Sequence, residues 1–265
     1  MDKIQDSELA QLRAENQQLR QALEQCRSAC EKAVQDLARS LEEGRAATED
    51  MQHLIYAVSH DLRTPLRAIA SYTQLLQRQY AADPEAAELS TYAAQGVKDM
   101  NTLIEDLLKY SRAGNLPRRS NVSLNTLLQW ARMNLEPKLR ETGGRIVSGD
   151  LPELHVDESQ FVQVLQQLFL NAITFRGEAA PVIELLSEEG DQAHIISVRD
   201  NGIGIEPRYL EIVFQPFKRL GPRDIPGSGL GLPTCKKIVK AHGGRIWAES
   251  AGKGQGATFR FTVPF

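Results

Sequence analysis

Cysteine is scarce in this chain: Cys26, Cys30 and Cys235 stand at spacings that build neither a disulfide framework nor a zinc site. No apolar run approaches the ~18 residues a membrane span requires, and the start, MDKIQDSELAQLRAENQ, is too polar for a signal peptide. An excess of one charge is lacking too. The net charge is -3 with 25% charged residues, which leaves no general attraction for polyanions and argues against nucleic acid. The expectation is a soluble cytoplasmic protein without a membrane span. Its 265 residues suffice for one large domain, or two small ones plus an extension.

Residues 1–50 have no proline, one glycine and no aromatic side chain. Leu9, Leu12, Asn16, Leu19, Leu23, Cys26, Cys30, Ala33 and Leu37 follow a heptad seam, and Asn16 at an a position favours a parallel dimer. The seam weakens over Ser40–Ala47 and resumes at Met51, Leu54 and Val58, then shifts to Ile55, Val58, Leu62, Ile69, Tyr72 and Leu76. In either register His60 lies off the seam and faces water. Pro65 sits inside the same helical pattern, where it costs about 3 kcal/mol. A turn at AADPEAA, with Asp83 before Pro84, starts a second helix that runs to about Arg112. Two such helices per chain, paired with a second copy, make a four-helix bundle.

RAGNLPRRS then reads as a linker, and the character of the chain changes from about Asn121. Helical segments at Leu124–Glu141, Asp157–Phe175 and Leu232–His242 interleave with strand-like ones at Arg145–Val147, Leu154–Val156, Val182–Leu186, His194–Arg199, Arg245–Glu249 and Thr258–Val263. Asp157 with Gln160 resembles a capping box. This pattern indicates a two-layer α+β sandwich, one layer of helices and one of mostly hairpin-compatible strands. The organisation expected is a coiled-coil signalling helix at 1–50, a helical hairpin at 51–112, a linker at 113–120 and the sandwich at 121–265.

Four stretches of the sandwich carry chemistry only as a set. In QVLQQLFLNAITF, Phe161, Leu165, Leu168 and Ala172 form the buried face and Asn171 stands beside it, as a metal ligand or as a local cap. VRDNGIGIEP ends a strand with Asp200, followed by Gly202 and Gly204; Asp-Asn-Gly alone is a hairpin-turn signal. A carboxylate beside a glycine floor is equally suited to the exocyclic amine of adenine. GSGLGL, with Gly227, Gly229 and Gly231, opens a helix, so its backbone N–H groups suit phosphate, although it is not a Walker sequence. GKGQGATF leads into a strand bearing Thr258. VFQPFKRLGPRDIPGSG between them has the glycine and proline content of a mobile lid.

In this order the stretches resemble the N, G1, F, G2 and G3 boxes of the sensor histidine kinases, and SHDLRTPL resembles that family's H box over its full length. The resemblance covers roughly residues 50–265; CKKIVKAHGGRIWAES looks closest to the phytochrome-like members. It implies a dimerisation and histidine-phosphotransfer hairpin followed by a Bergerat-type ATP-binding sandwich. It further implies that His60 accepts the γ-phosphoryl group of ATP, that Asp61 holds the imidazole and removes its proton, and that Thr64 orients a water or merely precedes Pro65. Asp200 would bind the adenine amine, with Gly202, Gly204 and Thr258 completing that pocket. Asn171 would hold Mg²⁺, the glycines of the third stretch would cradle the phosphates, and Arg219 would face the transferring phosphate.

The implied partners are a second copy of the chain, a response regulator whose aspartate receives the phosphoryl group, and an upstream sensor domain or protein outside this chain. Two positions depart from the family pattern: Gln167 stands where a second asparagine is usual, and Thr174 where Lys or Arg is usual. They leave open a degenerate kinase acting as a dimeric nucleotide-binding scaffold or phosphotransfer module. A chaperone-like or DNA-repair ATPase of the same superfamily would have no use for the H box or the hairpin.

Overall fold

Asp83 starts the second helix as its position before Pro84 predicts. In the computed structural model, which describes residues 50–115, 117–220 and 227–265, its extended backbone and side chain accept hydrogen bonds from Glu85 N and Ala86 N. The hairpin is helix α1, residues 50–79, and helix α2, Pro84–Arg112. The coiled coil expected over 1–50 falls outside the described residues, except for residue 50. Ile55–Phe265 forms one compact unit; of the other, Met1–Leu54, only residues 50–54 are described, and they are helical.

Within the hairpin the buried apolar cluster is small: Leu66, Val97 and Ile104, flanked by Ala70 and Leu108. Ser59, Thr73, Ser90 and Ser111 are buried as well, and Thr73 and Ser90 bond back to the carbonyls of Ile69 and Ala87. The apolar stripe predicted from the heptads (Val58, Leu62, Ile69, Tyr72 and Leu76) stays exposed, as do Leu89, Met100 and Leu103 on α2. One side of each helix thus makes the hairpin and a more apolar side is presented outward.

The sandwich is built from strand β1 (Ser120–Ser123), α3 (Leu124–Thr142), β2 (Arg145–Ser148), β3 (Glu153–Val156), α4 (Glu158–Thr174), β4 (Val182–Glu189), β5 (Ala193–Asp200), α5 (Gly231–Ala241), β6 (Ile246–Glu249) and β7 (Thr258–Pro264). Five strands form one sheet in the order β2-β4-β5-β7-β6, while β1 and β3 pair antiparallel apart from it. Sequence reading missed β1, whose partner lies beyond a whole helix. It also favoured hairpins, whereas β2 runs parallel to β4. The three helices cover one face. Phe161, Leu165, Leu168 and Ala172 of α4 are buried there, as predicted, against Ile183, Leu185, Ile196, Val198, Phe259 and Phe261. Asp157 caps α4 by accepting from Gln160 N. The reciprocal half of a capping box is not made, because Asp157 N donates to His242 Nε2 rather than to the Gln160 side chain, whose Nε2 donates to Asn115 O.

Candidate functional site

At the end of β5 the chain does not turn into a hairpin, since the next strand, β6, pairs with β7 rather than β5. The Asn201 amide holds the start of β4, bonding Val182 N at 2.8 Å and Ala180 O at 3.0 Å. Asp200 Oδ1 accepts from Gly202 N at 2.9 Å and Ala257 N at 3.1 Å. Burial pushes this carboxyl up, against the pull of those two N–H groups. With Oδ1 engaged twice, Oδ2 remains as an acceptor for a donor such as an amine.

The glycines after Asp200 are required by close backbone approach. A Cβ on Gly202 would lie 2.5 Å from Phe175 O, and one on Gly204, whose φ is 71°, would overlap Gly252 O. Gly256 N donates to Gly202 O, so the second and fourth stretches form one double-stranded floor. Ser250 locks it: its Oγ accepts from Ile205 N at 3.0 Å and donates to Gly256 O at 2.7 Å. Sequence reading missed Ser250, since a serine ending a strand carries no local signal of a partner 45 residues away.

Asn171, on the last turns of α4, does not use its side chain as a cap. Its backbone carbonyl receives Phe175 N, while its Oδ1 accepts from Gln167 Nε2 at 3.1 Å. Gln167 in turn lies against Gly231, the first residue of α5. The N-terminus of α5 has no side-chain cap on its first N–H groups, as an anion site requires. Gly229, at φ 73°, packs against Phe217, itself left-handed at φ 61°, and Phe217 N donates to Gly229 O at 3.0 Å. The glycine turn is therefore backed by the start of the predicted lid. Arg219 is exposed two residues beyond that contact. Arg176, two residues beyond Thr174, donates to Ile173 O.

The structure does not bring the Thr258 side chain into this floor. Phe259 packs inward, so alternation turns Thr258 to the opposite face beside its partners Arg199 and Glu249. Ala257, one residue earlier, reaches Asp200 through its backbone N–H. The remaining candidates lie on the hairpin. His60 and Asp61 are 71% and 83% exposed, with Nδ1···Oδ1 at 3.3 Å, and Thr64 is exposed one helical turn on. The hairpin also meets the glycine turn: Ser228 Oγ donates to Asp106 Oδ2 of α2 at 2.7 Å. Lys237 of α5 caps the end of α2 through Tyr110 O at 3.0 Å, and burial lowers its pKa.

The donor set suits a magnesium nucleotide. Among the described residues no three carboxylate, histidine or cysteine groups cluster as a cage. Mg²⁺ is commonly held by one or two protein oxygens plus phosphates, which one asparagine oxygen beside an uncapped helix start can supply. Among the described residues no helix is long and apolar enough to cross a membrane.

Residues 50–116 match the "His Kinase A (phospho-acceptor) domain" and residues 156–265 the "Histidine kinase-, DNA gyrase B-, and HSP90-like ATPase" family. Cyanobacterial phytochrome A of Nostoc sp. is 41% identical over 232 residues, 86% of this chain and 30% of that protein. Sensor histidine kinase AruS of Pseudomonas aeruginosa is 32% identical over 253 residues, 91% of this chain and 25% of its own length. The chain thus spans less than a third of either. The crystal structure of full-length ShkA in complex with AMPPNP is similar with a TM-score of 0.62 and 26% identity, over 80% of this chain and 46% of that one.

Proposed function

The chain belongs to the sensor histidine kinases, and from that premise we propose that it phosphorylates His60 from Mg-ATP and passes the phosphoryl group to an aspartate of a response regulator. What supports this reading is that Gln167 links Asn171 to the uncapped start of α5 while Ile203 N, in the turn after Asp200, donates to Phe175 O at the end of α4, in a chain that also presents an exposed His60–Asp61 pair. Bound ATP would supply the phosphoryl group, and Mg²⁺ held by Asn171 would neutralise charge on its oxygens; binding of AMPPNP by the similar protein ShkA supports a nucleotide here.

In this reading Asp200 Oδ2 accepts from the adenine amine above the floor of Gly202 and Gly204. Asn171 Oδ1 is the cation ligand, and the backbone around Gly227, Gly229 and Gly231 donates to the phosphates. Asp61 accepts the Nδ1 proton of His60, which leaves the Nε2 lone pair to attack phosphorus. The N–P bond forms as the bond from phosphorus to the bridging oxygen of ADP breaks, and the Nδ1 proton passes to Asp61. Arg219 balances charge on the phosphoryl oxygens. Thr64 orients a water against the regulator's phosphoaspartate, whose hydrolysis releases inorganic phosphate. In this reading the hairpin at 51–112 carries the acceptor, the sandwich at 121–265 binds the nucleotide, and the exposed hairpin stripe closes against a second copy.

The test is incubation with Mg-ATP, scoring acid-labile, base-stable phosphate on the chain. Label is expected on the native protein and absent from His60→Gln and Asp200→Asn. Unlabelled protein that still binds nucleotide through Asp200 would replace this reading with a non-transferring scaffold.

A further inference from the structure

Gly229 and Gly231 are glycine for different reasons. Gly229 needs its positive φ, but Gly231 is not among the residues with left-handed backbone, so conformation does not demand a glycine there. Space does. A Cβ at position 231 would overlap Nε2 and Cδ of Gln167 and stand 2.9 Å from its Cγ. A side chain of α4 fills the place a Cβ would take, and would have to move to admit one.

That side chain does a second thing. Gln167 lies one helical turn before Asn171, on the same face, and its Nε2 donates to Asn171 Oδ1 at 3.1 Å. An amide turned the other way would set N–H against N–H. With Gln167 presenting Nε2, the bond selects the Asn171 orientation whose Oδ1 faces it, and one lone pair of that oxygen stays available. Asparagine at position 167 would be one methylene shorter and would not span both contacts.

We propose that Gln167 is a positioning residue of the nucleotide site, wedged against Gly231 and orienting Asn171 for the divalent cation. In this role it sets the distance between the cation ligand on α4 and the phosphate-binding start of α5 with one side chain. The departure from the family pattern is then a matched replacement rather than a lesion. The inference rests on the proposed nucleotide site, but its geometric half does not need nucleotide.

Two readouts on the whole chain test it: melting temperature without ligand, and affinity for a fluorescent ATP analogue titrated with Mg²⁺ or in EDTA. Gly231→Ala alone is expected to lower the melting temperature and to weaken analogue binding about tenfold or more. Adding Gln167→Ala is expected to restore most of the melting temperature and, at saturating Mg²⁺, most of the analogue affinity, because it clears the space. Gln167→Ala alone is expected to raise the Mg²⁺ needed for half-maximal binding by about three- to tenfold, with affinity in EDTA within about twofold of native. Additive damage in the double variant overturns the pairing. Equal losses with and without Mg²⁺ overturn the orienting role. If the native chain binds no analogue, the nucleotide reading and the orienting role both fail, and the melting arm still decides the pairing.

Discussion

His242 shows how one buried side chain serves the frame around the site. It is 2% exposed, bonds Ile238 O through Nδ1 at 2.8 Å, and receives Asp157 N on Nε2 at 3.1 Å. One ring nitrogen must donate and the other accept, so the neutral imidazole is the form that fits. Burial lowers its pKa, nearby Arg119 adds to that, and the Ile238 carbonyl and Asp157 oppose it. The folded-state pKa is depressed, so the stabilisation is present above about pH 6.5, the ordinary histidine value. It is lost as pH falls through the folded value. Melting temperature should therefore drop by a few degrees between about pH 7 and 5, and His242→Gln should flatten that slope while lowering the neutral-pH value. Asp157 answers in a separate, more acidic window. Burial would raise its carboxyl, but Ser159 and the N–H groups of Arg118 and Gln160 hold it below the usual range. A slope unchanged in the variant would assign the acid sensitivity to other groups.

Among elements, the contact between α2 and α5 bears most directly on function. It ties the hairpin to the glycine turn through Ser228 and Asp106, and Lys109 lies 3.7 Å from the other oxygen of that carboxylate. Ser228 Oγ also accepts from Leu230 N at 3.2 Å, so the hydroxyl that caps the turn is held by an acid on the other module. A carboxylate beside a phosphate-binding turn repels the triphosphate. Asp106→Asn keeps an acceptor for Ser228 and removes the charge. It should tighten binding of an ATP analogue about three- to tenfold at low ionic strength, an effect that shrinks as salt screens it. Calorimetric titration at two salt concentrations checks this, and weaker binding at both would show that the carboxylate supports the turn.

At the scale of the whole molecule, the hairpin leaves outside an apolar stripe that soluble monomers seldom display. Replacing Leu62 and Ile69 together by lysine should convert a dimer to a monomer in light scattering. Nucleotide affinity of the sandwich should stay within about twofold, since neither residue belongs to its site. A native chain that is already monomeric would remove the second copy from the proposed assembly. Much of this architecture was legible beforehand. The Asp83-Pro84 turn, the Asp157 cap and the inward face of α4 depend on neighbours within three or four residues, and that spacing is written in the chain. The glycine stretches and the H box were legible for the same reason, as contiguous runs. What lay beyond reach were pairings between distant segments: β1 with β3, the parallel run of β2 on β4, Ser250 across the floor, and Gln167 against Gly231. Thr258 illustrates the limit, because moving one residue along a strand exchanges its faces, and only the packing of Phe259 against the helices decides which face Thr258 shows. The sequence alone determined the local elements and the residue types offered to a magnesium nucleotide. Tertiary structure alone decided which of those residues meet, because their contacts join segments that only the folded sheet and helix layer bring within hydrogen-bond distance.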